Sequence, residues 1–105
     1  MTNEQALIDR YFTLATSDRD AYLAQFADDA VVEDEGHLHQ GIDAIRGWRT
    51  SVPAVVYRIR ETESVAAGHR VVAEISGDFP GSPVTLAFNF VFSGEKIISL
   101  AIRPV

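Results

Sequence analysis

The apolar residues of this chain recur at helical spacing up to Pro53 and at every second position after it, so two periodicities occupy two consecutive blocks. In the second block Val55, Tyr57 and Ile59 alternate with Val56, Arg58 and Arg60, and Val71, Ala73 and Ile75 with Val72, Glu74 and Ser76. Leu86, Phe88, Phe90 and Phe92 then alternate with Thr85, Ala87, Asn89 and Val91, and Lys96 to Arg103 reads as a last strand. Ala67-Gly68, Pro80-Gly81-Ser82-Pro83 and Ser93-Gly94-Glu95 supply the turns. Helices first and antiparallel strands second predict an α+β architecture, three N-terminal helices packed on one face of a curved, mostly antiparallel sheet. A chain of 105 residues is expected to be one domain, residues 1–105, with a single core from which any pocket must be carved.

In the helical block, Thr2 and Gln5 read as a capping box for a first helix over residues 3–16, with Leu7, Ile8, Tyr11, Phe12, Leu14 and Ala15 as its apolar stripe. Ser17-Asp18 offers a new cap, and Tyr22, Leu23 and Phe26 predict a short second helix ended by Asp28-Asp29. Val31-Val32 opens a strand, the chain turns near Gly36, and Gly41 precedes a third helix. There Ile42, Ile45 and Trp48 face one way while Arg46 and Arg49 face another. Gly47 within it costs up to about 1 kcal/mol relative to alanine, which predicts close packing at that point.

Composition removes several classes of function. The longest apolar stretch, Val84 to Phe92, is broken by Thr85 and Asn89 and falls short of the roughly 20 residues of a spanning helix, so no membrane partner is expected. Met1-Thr2-Asn3-Glu4-Gln5 has neither the cationic start nor the apolar run of a signal peptide, and the expected location is cytoplasmic. A net charge of -6 argues against a nucleic-acid partner; Arg46, Arg49, Arg58 and Arg60 are the one local basic concentration and read as solvated faces. The absence of cysteine excludes disulfides and thiolate chemistry, and no phosphate loop, serine nucleophile elbow or dinucleotide fingerprint is present.

The order of motifs is more specific than the composition. A helix bearing Tyr11 is followed by a short helix, Phe26-Ala27-Asp28-Asp29-Ala30, a strand ending in Glu33-Asp34, and Gly41-x-x-Ala44-Ile45-Arg46 ahead of the aromatic Trp48. This order resembles the NTF2-like superfamily, specifically its ketosteroid isomerase and SnoaL-like polyketide cyclase branch. The resemblance implies a cone whose mouth opens between the first helix and the sheet. It implies Asp34 as the carboxylate that moves a proton and Tyr11 as the hydrogen-bond donor to the substrate oxygen. It also implies a second oxyanion donor, a protonated aspartate, at the position where this chain has Phe88, so that part of the oxyanion hole is missing. With almost no tail beyond Arg103 to close the cone, the pocket is expected to be open or small.

The residues themselves leave alternatives. A carboxyl in an apolar cavity suits proton transfer because loss of hydration brings a carboxyl pKa toward the working pH. By alternation Asp34 shares a face with Val32, opposite Val31, Glu33 and Glu35, and it reads either as a cavity acid or as an acidic residue at the Gly36 turn. Tyr11 reads either as a donor to a developing enolate or as a core tyrosine with its hydroxyl at an edge. Phe26, Trp48, Tyr57, Phe88, Phe90 and His39 are the expected pocket lining. His37 and His39, with Glu35, have the spacing of a two-histidine, one-carboxylate metal set on a strand, but their polar surroundings read as a turn with solvated histidines, so neither metal nor cofactor is expected. Arg103 could pair with Asp78 or a pocket acid, with a surface role as the plainer reading. The expected partners are a small apolar molecule and a second copy of the chain, docked through Thr85, Ala87, Asn89 and Val91 with Val72 and Ile98 or Ile102 beside them. Function reduces to two readings: cofactor-independent acid/base isomerisation, cyclisation or (de)hydration, or a non-catalytic ligand-binding or dimerisation module.

Overall fold

Two helices, a hairpin, a third helix and four long strands follow one another in the computed structural model, which describes residues 4–66 and 68–105. The helices are α1 (Glu4–Leu14), α2 (Arg19–Leu23) and α3 (Ile42–Ser51). The strands are β1 (Phe26–Asp34), β2 (His37–Gln40), β3 (Val55–Val65), β4 (Gly68–Gly77), β5 (Val84–Ser93) and β6 (Lys96–Pro104). They form one sheet in the order β2-β1-β6-β5-β4-β3, in which β1 and β6 run parallel and the other neighbours antiparallel. The β1–β2 hairpin thus separates α3 from the first two helices.

Local chemistry explains the boundaries. Helix α1 stops at Leu14, short of the predicted residue 16, where the Thr16 and Ser17 hydroxyls donate back to the Thr13 carbonyl and compete with a further turn. The predicted cap at Thr2 lies outside the described residues. Asp18 caps α2 as expected, its carboxylate accepting from the Asp20 N–H at 3.0 Å. Phe26, predicted to lie on the apolar face of a second helix that Asp28-Asp29 ends, instead begins β1 and pairs with Ile97, and α2 stops at Leu23. Its ring is still buried against Tyr22, so an inward strand residue reproduced the burial that helical spacing predicted. Asp28 and Asp29 are exposed inside β1, where the pairing with β6 shifts register between Phe26 and Val31. Beyond Asp34, Glu35 and Gly36 form a two-residue turn with φ of 49° and 90°, the left-handed pair that a tight hairpin needs.

The period-two reading of the C-terminal half describes the sheet well. Val71, Ala73, Ile75, Phe88, Phe90, Leu100 and Ile102 are buried on the face that α1 and α3 cover. Ile102 therefore belongs to the inner face and not to the outer patch where it was a candidate, whereas Ile98, the residue passed over between the Val91–Ser99 and Phe92–Ile97 pairs, is exposed. The edge strand β3 carries Arg58, Arg60, Glu61 and Glu63, charges that discourage further strand addition. Gly47, expected in a close contact, is exposed, and a Cβ built there meets no atom within 4 Å. Among the described residues no helix is long and apolar enough to cross a membrane.

Candidate functional site

A cavity of about 220 Å³ lies between α1, α3 and the inner face of the sheet. Of the residues singled out from the sequence, Tyr11, Asp34, Trp48, Tyr57 and Phe88 line it, together with aliphatic side chains that include Val55, Ile75, Leu86 and Ile102. Exposed Glu35 and Pro53 mark its mouth.

Asp34 sits at the end of β1 on the same face as fully buried Val32, while Glu33 points to the other face and pairs with Arg103. Its Oδ2 accepts a hydrogen bond from the Trp48 indole Nε1–H at 3.0 Å. The indole sits on a buried turn of α3 and holds the carboxylate in one orientation, leaving its other oxygen for a ligand. The Tyr11 and Tyr22 hydroxyls are 2.8 Å apart in the core. Burial pushes both phenols well above the ordinary tyrosine pKa, so both keep their protons and either can donate to the other. If Tyr22 donates to Tyr11, the Tyr11 hydrogen is free for an oxygen in the cavity.

Three expected lining residues are placed elsewhere. Phe26 packs on Tyr22, with ring centroids 5.5 Å apart. Phe90 lies one inward position beyond Phe88 along β5, edge-on to Tyr11 at 5.0 Å and stacked on Phe92 at 5.7 Å. His39 lies against the Trp48 ring at 5.8 Å on β2, backing the cavity wall instead of entering it. Phe88 is buried edge-on against Phe12, so an apolar ring occupies the position to which the resemblance assigns a donor. Among the described residues no three His, Asp or Glu side chains gather as metal ligands; Glu35 is in the turn and His37 is exposed. Arg103 pairs neither with Asp78 nor with a cavity acid: it makes two hydrogen bonds to Glu33, of 3.0 and 2.8 Å, on the outer surface.

Arg49, expected on a solvated face, is a wall residue of the cavity. The Arg49 side chain turns inward over the Tyr22 ring, with Cζ 4.3 Å from the ring centroid, and donates through Nη2 to the Ala15 carbonyl at 2.8 Å. Burial works against its charge, but the phenols of Tyr22, Tyr11 and Tyr57 outweigh that effect and raise its pKa above the ordinary arginine value. The signal was available, since Ile45, Trp48 and Arg49 stand at i, i+3 and i+4, which puts Arg49 on the edge of the buried stripe.

The curved sheet, its helical cover and the cavity between them define an α+β protein of the NTF2-like class. The chain belongs to the SnoaL-like domain family, whose model matches residues 7–98. A candidate polyketide cyclase from Sinorhizobium meliloti is 38% identical, with 93% of this chain and 94% of that chain covered and a TM-score of 0.86. An NTF2-like protein of unknown function from Cytophaga hutchinsonii superimposes with a TM-score of 0.82 at 8% identity, covering 100% of this chain and 92% of the other. A hypothetical protein with a ketosteroid isomerase-like fold from Catenulispora acidiphila, solved with trimethylamine, has a TM-score of 0.77 at 21% identity over 91% of this chain and 82% of that one. The last two likenesses concern the fold alone. No curated protein was found to match the chain.

Proposed function

We propose that the cavity holds a small, largely apolar molecule and that Asp34 moves a proton on it without a cofactor. The observation that carries this reading is a carboxylate set by an indole N–H in a mainly apolar wall, facing the same cavity as Tyr11. In the proposed step the Asp34 carboxylate takes a proton from a carbon next to a carbonyl. The C–H electron pair becomes the enolate π bond, Tyr11 donates a hydrogen bond to the oxygen, and Asp34 returns the proton to another atom. Isomerisation, ring closure and loss or addition of water all share that step.

Size narrows the ligand. An apolar cavity of about 150 Å³ accepts benzene, so one of about 220 Å³ holds a single substituted ring within its walls, and a larger molecule would extend out through its mouth. Phe88 favours a second reading, ligand binding without turnover, because loss of one oxyanion donor raises a barrier by about 3 kcal/mol. The two readings separate on one assay: deuterium uptake from D2O into the α positions of cyclohexanone and its monosubstituted relatives, followed by NMR. Protein-dependent uptake supports catalysis, and binding without uptake supports the module.

We also propose that two copies pair through the outer sheet face. Half-buried Asn89, Val91 and Ala101 form its accessible centre beside Val72 and Ala87, which the chain itself already buries, and the Arg103–Glu33 and Arg60–Glu74 pairs supply a charged rim. An apolar centre within a polar rim is the usual build of a protein interface. Light scattering at tens of micromolar is expected to give about twice the 11.5 kDa of one chain; a mass of one chain contradicts the pairing.

A further inference from the structure

Arg49 has no carboxylate counter-ion among the described residues. Arg60, Arg70 and Arg103 each have a carboxylate oxygen within 4 Å, at 2.6, 3.5 and 2.8 Å, yet among the described residues no carboxylate lies that close to Arg49. Its partners are the Ala15 carbonyl, the Tyr57 hydroxyl, and the faces of Tyr22 and Trp48, with Cζ 4.3 and 5.8 Å from their centroids. A guanidinium has five N–H donors, so donors remain beyond the bonds to Ala15 and Tyr57. The donors left open on this half-buried cation face the cavity, where an anion can accept from them in a charge-assisted pair.

We propose that Arg49 is the anion subsite of this cavity and that its ligand is a small ring compound bearing a carboxylate. The inference rests on the reading of the cavity as a ligand site and goes further by naming the charge its ligand carries. The carboxylate would sit on the guanidinium donors left open. The ring would lie against Leu86, Phe88 and Ile102, which line the same cavity. Asp34 is more than 4 Å from Arg49 and does not figure among the groups acting on its charge, so the anionic end of a ligand can be neutralised at one place while the carboxylate works at another. Such a ligand is held at both ends, with its carboxylate on Arg49 and its reactive carbon toward Asp34. The chain's net charge of -6 disfavours anions at long range, so preference for one here has to arise locally.

Benzoate and benzamide have nearly the same shape and differ in charge, and each fits the size limit. Calorimetric titration of the wild-type protein is expected to show benzoate binding at least about tenfold more tightly than benzamide, as for a hydrogen bond to a charged group. Arg49→Met should remove that preference while leaving benzamide affinity within about twofold, and Arg49→Lys should keep a smaller preference because it retains the charge without the fork. Equal wild-type affinities for the two ligands, or an undiminished preference in Arg49→Met, overturns the role of Arg49 while leaving the cavity as a ligand site. Failure of both ligands to bind at millimolar concentration overturns the inference and the cavity reading together. The wild-type comparison needs no variant, so it stands even if Arg49→Met, which also loses the Ala15 contact, does not fold.

Discussion

Asp34→Asn is expected to slow α-deuteration of a bound cyclic ketone by about 10² to 10⁴-fold, the range that a positioned general base contributes. Asparagine keeps the shape of the side chain, and its carbonyl oxygen can still accept from the Trp48 indole at the 3.0 Å the carboxylate now uses. What it lacks is basicity. No cation lies within 4 Å of Asp34 among the described residues, so removing its charge breaks no ion pair. The melting temperature of the variant is therefore expected to equal or exceed that of the wild type, the usual relation between a functional group and the stability it forgoes. Uptake at the wild-type rate in the variant, with melting unchanged, would show that Asp34 does not carry the proton.

Gly68→Ala is expected to be the most damaging single-methyl change in the sheet. A Cβ at Gly68 would stand 1.9 Å from the Phe90 carbonyl oxygen and 3.3 Å from the Val91 Cα, both backbone atoms that no rotamer change can move. Strands β4 and β5 would have to separate where His69 pairs with Phe90, next to the aromatic stack that backs Tyr11. Overpacking of this kind costs about 1–3 kcal/mol, and with backbone as the obstacle the upper end is expected. For a domain of this size that lowers the melting temperature by about 10–20 °C. Gly47→Ala is the matched control: the site is open, its φ is not in the left-handed region, and alanine there should be neutral or stabilising. A Gly68→Ala protein as stable as wild type would mean that the two strands are not packed as described.

The strands and their inward faces were legible because alternation is a local property: Phe88 and Phe90 read as inward and are buried. The helix–strand boundary at Phe26 was not, because Tyr22, Leu23 and Phe26 are all buried and burial alone does not distinguish a helix turn from the first residue of a strand. At the site, alternation offered two faces for Asp34, and the choice depended on Trp48 arriving from α3, a contact between residues 14 apart. The Tyr11–Tyr22 hydroxyl pair and the inward turn of Arg49 over Tyr22 likewise depend on how α1, α2 and α3 pack together. Period-based reasoning treats an arginine as solvent-facing, and Arg49 shows how a residue on the edge of an apolar stripe escapes that assumption when aromatic faces receive it.

A small ligand is expected to occupy the space between Tyr11, Asp34, Trp48 and Phe88. Trp48 is the single tryptophan of the chain, it lines the cavity, and its indole N–H is bonded to Asp34, so one indole signal in a ¹H–¹⁵N correlation spectrum reports on that space. Titration with cyclohexanone and with benzoate should move this signal saturably, with the same Kd as that obtained by calorimetry. An indole signal that stays in place while both ligands reach millimolar concentration, or that moves without saturating, would contradict the account.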